Sequence, residues 1–227
     1  KIKKATKVFN SVFDKYDIMN DLMSLGIHRL WKQRLIEWMN PKKNDHLIDM
    51  ATGTGDVAAA FLKRLKNQGQ VNCVDPNSHM INEGKKKLKH LKNISWHISS
   101  AENLPFKDNI FDIYSVSFGV RNFSNPKKAL KEAQRVLKRG GRFVCLEFSK
   151  VENEILNKVY KAYSKAIPLL GKYIVGDNEP YDYLIKTIED FYDQETFKRV
   201  IIESGFDNVE YRNLSGGVVA IHSAWKI

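Results

Sequence analysis

Gly53, Gly55 and Asp75 are the residues whose types and spacing in this chain define a chemical site most sharply. The stretch Asp49-Met-Ala-Thr-Gly-Thr-Gly-Asp56 follows the apolar run His46 to Ile48 and precedes the helix-compatible run Val57 to Leu65, so it reads as strand, glycine turn and helix start. Glycine lacks Cβ and tolerates positive φ, so an anionic group can approach the unpaired amides of a helix N-terminus at Gly53 and Gly55. Twenty residues beyond Gly55, the strand-like Gln70 to Val74 ends in Asp75. A carboxylate there can accept hydrogen bonds from ribose hydroxyls. Together the two features predict a nucleoside cofactor. The plainer alternative, Asp75 serving only to cap the helix that begins near Asn77, leaves the glycine turn without a purpose.

Gly53-Thr-Gly55-Asp-Val-Ala58 also matches the dinucleotide fingerprint in its alanine-ending form, which keeps an NAD-dependent reductase in view. A compact reductase would use a tyrosine with lysine four positions on, and none of the nine tyrosines has one. S-adenosylmethionine fits better: its amino-acid carboxylate would face the glycine turn, Asp75 would hold its ribose, and Ser100, Ala101 and Glu102 would reach its adenine from the end of the third strand.

The elements that must position these residues alternate. Leu47 to Met50, Val71 to Val74, Ile94 to Ile98, Phe111 to Phe118 and Arg142 to Phe148 read as strands. Val57 to Lys66, Ser78 to Leu91 and Pro126 to Leu137 read as helices, with Gly140-Gly141 stopping the last. Such alternation implies right-handed crossovers and a parallel sheet, an α/β Rossmann-like fold. Val209 to Leu214 and Val218 to Ala224, separated by Ser215-Gly216-Gly217, suggest a closing antiparallel hairpin, for seven strands in all. A single domain of 227 residues is expected, with a helical cover at 1–44, a cofactor-binding core at 45–150, a helical insertion on the substrate side at 151–198 and the hairpin region at 199–227. The insertion holds Tyr160, Tyr163, Tyr173, Tyr181, Tyr183 and Tyr192.

Composition narrows the partners. The formal charge of +11 favours anionic surfaces, but most of the excess is lysine, as in 84–92, where a solvated helix face is the simpler reading and nucleic acid is not expected. Cys73 and Cys145 fall in predicted interior strands and make no disulfide framework. The six histidines lack metal-ligand spacing, so no metal is called for. No apolar run is long enough to span a bilayer. Val8, Phe9, Val12 and Phe13 beside Lys1, Lys3, Lys4 and Lys7 form a basic amphipathic stripe, suited either to an anionic membrane surface or to a lid over the site.

The arrangement resembles the class I S-adenosylmethionine-dependent methyltransferases. Tyr16-Asp-Ile-Met-Asn-Asp-Leu-Met-Ser-Leu-Gly-Ile-His-Arg-Leu-Trp31 and Arg135-Val-Leu-Lys-Arg-Gly-Gly-Arg-Phe-Val-Cys-Leu-Glu-Phe-Ser149 resemble signatures of the ubiquinone/menaquinone-biosynthesis C-methyltransferases, as do Ser117-Phe-Gly-Val-Arg-Asn122 and Gly217-Val-Val-Ala-Ile-His-Ser223. The chain departs from that family at Thr52, where glycine is common, and at Arg139, where proline is. Position by position, the resemblance implies cofactor contacts at Thr54, Asp75, Ser100, Ala101 and Ser117.

It also implies C-methylation of a polyprenyl hydroquinone, a 2-methoxy-6-polyprenyl-1,4-benzoquinol or a demethylmenaquinol, with the 217–227 tail favouring the benzoquinol. Arg121 would then stabilise a developing phenolate and Asn122 orient the hydroxyl, unless Arg121 is taken up by Glu147. His28, Asp17, Tyr16 or a water held by Arg121 would accept the proton. The implied partners are the lipophilic quinol, a membrane surface, other quinone-biosynthesis proteins and a second copy of the chain. The implied location is the cytoplasmic side of a bacterial inner membrane or the matrix side of a mitochondrial one. Two other classes stay open: methylation of another small molecule or RNA, and a non-catalytic cofactor-binding module.

Overall fold

The computed structural model describes residues 26–152 and 179–227, with Ser24, Glu154, Lys158 and Tyr160. Tyr16, Asp17, the amphipathic stripe, Tyr163 and Tyr173 lie outside the described residues. Helix α1 (His28–Met39) leads into strand β1 (His46–Met50), and three crossover helices follow, α2 (Asp56–Arg64), α3 (Ser78–Lys87) and α4 (Pro126–Val136). They alternate with β2 (Gln70–Asp75), β3 (Ile94–Ile98), β4 (Phe111–Ser117) and β5 (Leu137–Phe148). Helices α5 (Glu179–Glu189) and α6 (Gln194–Glu203) precede the hairpin β6 (Asp207–Leu214) and β7 (Val219–Trp225).

The seven strands lie in the order β3-β2-β1-β4-β5-β7-β6. Neighbours from β3 to β5 are parallel, whereas β7 runs antiparallel to both β5 and β6. One face of the sheet buries Leu47, Val71 and Val144 against Leu35 of α1, Phe61 of α2 and Tyr181 of α5. The other buries Tyr114, Phe143 and Cys145 against Leu130 of α4 and Phe197 of α6. Each large apolar side chain so removed from water contributes roughly 1.5–3 kcal/mol. Cys73 and Cys145 are free, buried thiols.

Helix starts follow local chemistry. The Asn77 side chain accepts from the amides of His79 and Met80, Asn125 caps α4 ahead of Pro126, and Asp193 caps α6. Helix α2 has no side-chain cap, only Gly55 in the left-handed conformation (φ 87°), so its first amides are left to other partners.

Several boundaries differ from the sequence reading, three of them with a visible cause. Helix α2 stops at Arg64, because Lys66 and Asn67 take positive φ. Helix α3 stops at Lys87 rather than Leu91, with the Leu88 amide returning to the Gly84 carbonyl and a turn following. The glycines read as a helix stop instead form an irregularity inside β5, which begins at Leu137. Gly140, at φ 75°, donates to the Lys226 carbonyl, and Gly141 accepts from the Lys226 amide. Among the described residues, no helix is long and apolar enough to cross a membrane.

Candidate active site

A cleft of about 660 Å3, open to solvent, lies at the carboxyl ends of β1 and β4 between α1 and the start of α2. Its floor is the loop after β1, where Ala51 (φ 54°), Gly53 (φ 58°) and Gly55 (φ 87°) turn the chain. The two glycines do different work. A Cβ on Gly53 would meet nothing within 4 Å, whereas one on Gly55 would fall 2.7 Å from Leu88 Cδ1 and 3.0 Å from the Trp96 ring. Gly53 therefore opens toward the cleft, and Gly55 is small so that β3 and α3 can pack beneath the loop. This assigns Gly55 a packing role where a ligand approach was expected.

Asp49, one residue before the end of β1, is almost fully buried and accepts from Thr52 Oγ1 (2.6 Å) and Ser115 Oγ (2.7 Å). Burial pushes its carboxyl up to about 6, against those two hydrogen bonds and the charge of Lys32. Thr52, the residue that departs from the familial glycine, thus supplies one of the hydroxyls that hold Asp49. Asp75 ends β2, also buried, and accepts from the amides of Asn77 (2.8 Å) and Gly53 (3.0 Å). Burial raises it likewise to about 6 against these bonds. Asp75 thus holds the Asn77 amide and the glycine loop, while the cap of α3 is Asn77 rather than Asp75.

Asp56, the first residue of α2, takes Lys32 Nζ on one oxygen and Lys87 Nζ on the other, both at 2.8 Å. Lys87 Nζ also donates to Thr54 Oγ1 at 3.2 Å. Burial works to raise the Asp56 carboxyl, but the charge and hydrogen bond of Lys32, then those of Lys87, outweigh it and hold the group below the ordinary carboxylate range.

The opposite wall carries Phe118, Phe148 and Arg121. Arg121 Nη1 donates to Glu147 Oε1 (2.6 Å) and to the Phe118 carbonyl (2.6 Å), and its guanidinium lies 5.4 Å from the centre of the Phe148 ring. Both members of the pair are buried, so the alternative pairing with Glu147 is present. It does not withdraw Arg121 from the cleft. Arg121 Nε and Ser117 Oγ are buried without hydrogen-bond partners among the described residues. His28 lines the cleft with Nδ1 2.9 Å from Ser24 Oγ. Asn122 follows Arg121 in the same short turn, does not line the cleft, and accepts from the Tyr183 hydroxyl of α5 at 3.1 Å.

Of the residues picked out in the sequence, Gly53, Thr54, Ser117, Arg121 and His28 line this cleft. Asp75, the last residue of β2, touches the loop through Gly53, whereas Ser100 and Ala101 follow β3 and do not line the cleft; Ala101 is buried. Glu102 is committed elsewhere: its Oε1 accepts from the amides of Ser124 and Asn125 and fixes the approach to α4. Asp49, Lys32 and Asp56 line the cleft without having been singled out for chemistry. Asp49 and Asp56 bracket the glycine turn, a signal that was there to read, whereas nothing local marks Lys32.

The ubiE/COQ5 methyltransferase family model matches residues 1–226. The chain belongs to that family. It is 47% identical over 231 residues to the "Ubiquinone/menaquinone biosynthesis C-methyltransferase UbiE" of Ruegeria sp. (strain TM1040), covering 100% of this chain and 92% of the relative. With the protein of the same name from Rickettsia prowazekii (strain Madrid E) it shares 50% identity over 227 residues, covering 97% and 91%. Among solved structures, a Thermotoga maritima protein described as a SAM-dependent methyltransferase, possible histamine N-methyltransferase, superposes with a TM-score of 0.67 at 18% identity, over 97% of this chain and 99% of that one. A putative methyltransferase from Bacillus halodurans gives 0.63 at 19% identity, over 86% and 98%. These structural likenesses establish the class I methyltransferase fold of the family member.

Proposed function

We propose that this protein transfers a methyl group from S-adenosylmethionine to a ring carbon of a polyprenyl hydroquinone. Membership of the family over the whole chain sets the reaction class, and one observation within the cleft supports the substrate: a glycine loop with buried carboxylates on one side faces an aromatic wall carrying a buried arginine on the other. The residues fit the donor. Gly53 leaves its place open, Ser117 Oγ is a buried hydroxyl with no partner among the described residues, and Asp49 and Asp75 supply carboxylates next to the loop. Asp75, Ser100 and Ala101 would hold the nucleoside, and Thr54, Gly53 and Ser117 the remainder. Bound S-adenosylmethionine supplies an electrophilic methyl group.

The ring carbon becomes a nucleophile when the quinol hydroxyl loses, or nearly loses, its proton. Arg121, held by Glu147 and Phe118, is a fixed cation on the wall where that charge would grow, and such preorganised donors stabilise charge without reorganising. Asn122 orients the hydroxyl through an amide held by Tyr183. His28, held beside Ser24 Oγ, accepts the proton, a role for which Tyr16, Asp17 and a water held by Arg121 are the alternatives. The polyprenyl chain places the substrate in lipid, so the enzyme meets it at a membrane surface as a peripheral protein. Binding to anionic vesicles that is reversed by salt tests that contact.

The experiment for the reaction is single-turnover methyl transfer at saturating donor, offering the reduced quinol, the oxidised quinone, a simple phenol and RNA. Transfer to the quinol alone is expected. Equal transfer to quinol and quinone, or preference for phenol or RNA, would overturn the substrate assignment.

A further inference from the structure

In the turn between β6 and β7, Ser215 Oγ accepts the indole N–H of Trp31 at 2.9 Å, across 184 positions of sequence. The turn stands at the ligand edge of the sheet because β7 runs antiparallel to β5, which sets Val219 opposite Phe148. Its backbone is left-handed throughout, with Ser215 at φ 49°, Gly216 at φ 67° and Gly217 at φ 94°. A residue with a Cβ enters that region at a cost. Where this chain does so it mostly uses asparagine; two of the exceptions, Ala51 and Phe118, line the cleft, and Ser215 is a third.

Trp31 is 5% exposed and forms a layer behind the aromatic wall. Its ring centre lies 6.2 Å from that of Phe118 and 6.3 Å from that of Phe148, and those two rings are 5.0 Å apart. Phe118 and Phe148 line the cleft, with the Arg121 guanidinium 5.4 Å from the Phe148 ring. Trp31 also shares a face of α1 with His28, three residues before it. A buried indole N–H requires an acceptor, so one bond fixes both the ring behind the wall and the turn of helix that carries His28.

We infer that Ser215 is a positioning residue for the acceptor: through Trp31 it holds the Phe118 and Phe148 wall, so the antiparallel hairpin takes part in acceptor binding although no residue of β6, β7 or their turn lines the cleft. The inference rests on the acceptor reading above and adds to it a residue outside the cleft. Loss of the bond leaves the Trp31 ring without its anchor and the wall without a fixed backing. The acceptor ring is then held less closely, whereas the donor, on the glycine loop opposite, is not affected.

Ser215→Gly separates this role from plain stability, because glycine suits the left-handed backbone while removing the hydroxyl. Steady-state methyl transfer by the full chain should show KM for the quinol raised about threefold to tenfold, the range for one neutral hydrogen bond. Affinity for S-adenosylhomocysteine should change by no more than about twofold, with a melting temperature close to the parent's. Trp31→Phe, which keeps a ring without the donor, should raise KM as well, and the double variant should exceed the weaker-binding single variant only slightly. An unchanged KM in Ser215→Gly, or equal losses toward quinol and S-adenosylhomocysteine, would return Ser215 to a purely structural part of the turn. Fully additive losses in the double variant would do the same. A parent chain that transfers no methyl group to the quinol overturns the acceptor reading itself, and the role of Ser215 with it.

Discussion

At the amino end of the sheet, Asp112 divides its oxygens between Lys138 and the His46 amide, and the Arg142 guanidinium lies over the rings of both Trp38 and Trp225. The carboxyl end is built otherwise. There, two buried carboxylates sit beside a loop with three residues of positive φ, Ala51, Gly53 and Gly55, and Ser117 Oγ and Arg121 Nε have no partner among the described residues. The same strands run through both ends, so the contrast is not one of fold. The amino-end groups named above are paired with one another, whereas Ser117 Oγ and Arg121 Nε stand at the edge where a ligand would complete the arrangement.

The largest way to break this comparison is to unpair a charge at each end. Glu147→Gln leaves the Arg121 cation buried without its counter-charge and should cost about 3–5 kcal/mol. Lys138→Ala removes one member of an ion pair exposed by 45% and 30%, and should cost less than about 1 kcal/mol. Urea unfolding of both variants checks the ratio, and similar losses would erase the distinction between the ends.

Glycines give the next test. At Gly55, alanine meets both positive φ and the Leu88 and Trp96 side chains, so Gly55→Ala should cost about 2–5 kcal/mol. At Gly140 only the positive φ is violated, since an added Cβ meets nothing within 4 Å, and about 1 kcal/mol is expected. Thermal melting of the pair measures the part due to the Leu88 and Trp96 contacts.

A pH series sharpens the comparison further. Asp49 titrates near 6 in the folded chain, above its unfolded value of about 4, so its protonated form stabilises the fold. That stability is fully present below about pH 4 and lost as pH rises through about 6, on the order of 2–3 kcal/mol. Buried His222, pushed down to about 4 by desolvation, has the opposite sign: its contribution is present above about 6.5 and lost as pH falls toward 4. The difference between parent and Asp49→Asn isolates the carboxylate from the imidazole. A variant whose stability follows the same pH curve as the parent would show Asp49 to be an ordinary carboxylate.

Most of the fold was legible because period-two and period-3.6 patterns are local, and the glycine turn, Thr54, Ser117 and Arg121 fell where a parallel sheet puts its ligand edge. What escaped depends on partners far along the chain. Nothing near Gly140 announces a bond to Lys226, so β5 read short. Lys32 was not singled out in the sequence, and its place in the cleft shows only once Asp56 is brought to it. Glu102 looked available until Ser124 and Asn125 took its carboxylate. The Arg121 pairing with Glu147 was visible as an alternative, and only coordinates could show that it leaves the guanidinium on the cleft wall.

The strand order carries a consequence for synthesis. Strand β7 follows β6 in sequence but lies between β5 and β6, so β6 is synthesised before the strand that, among the described residues, it pairs with. Until β7 is made, the edge of β5 stays open and β6 has no strand to join. The nascent chain is thus exposed to edge pairing with its neighbours for as long as β7 is missing. Loss of Val219–Trp225 would leave that exposure permanent, and would detach β6 as well as removing β7.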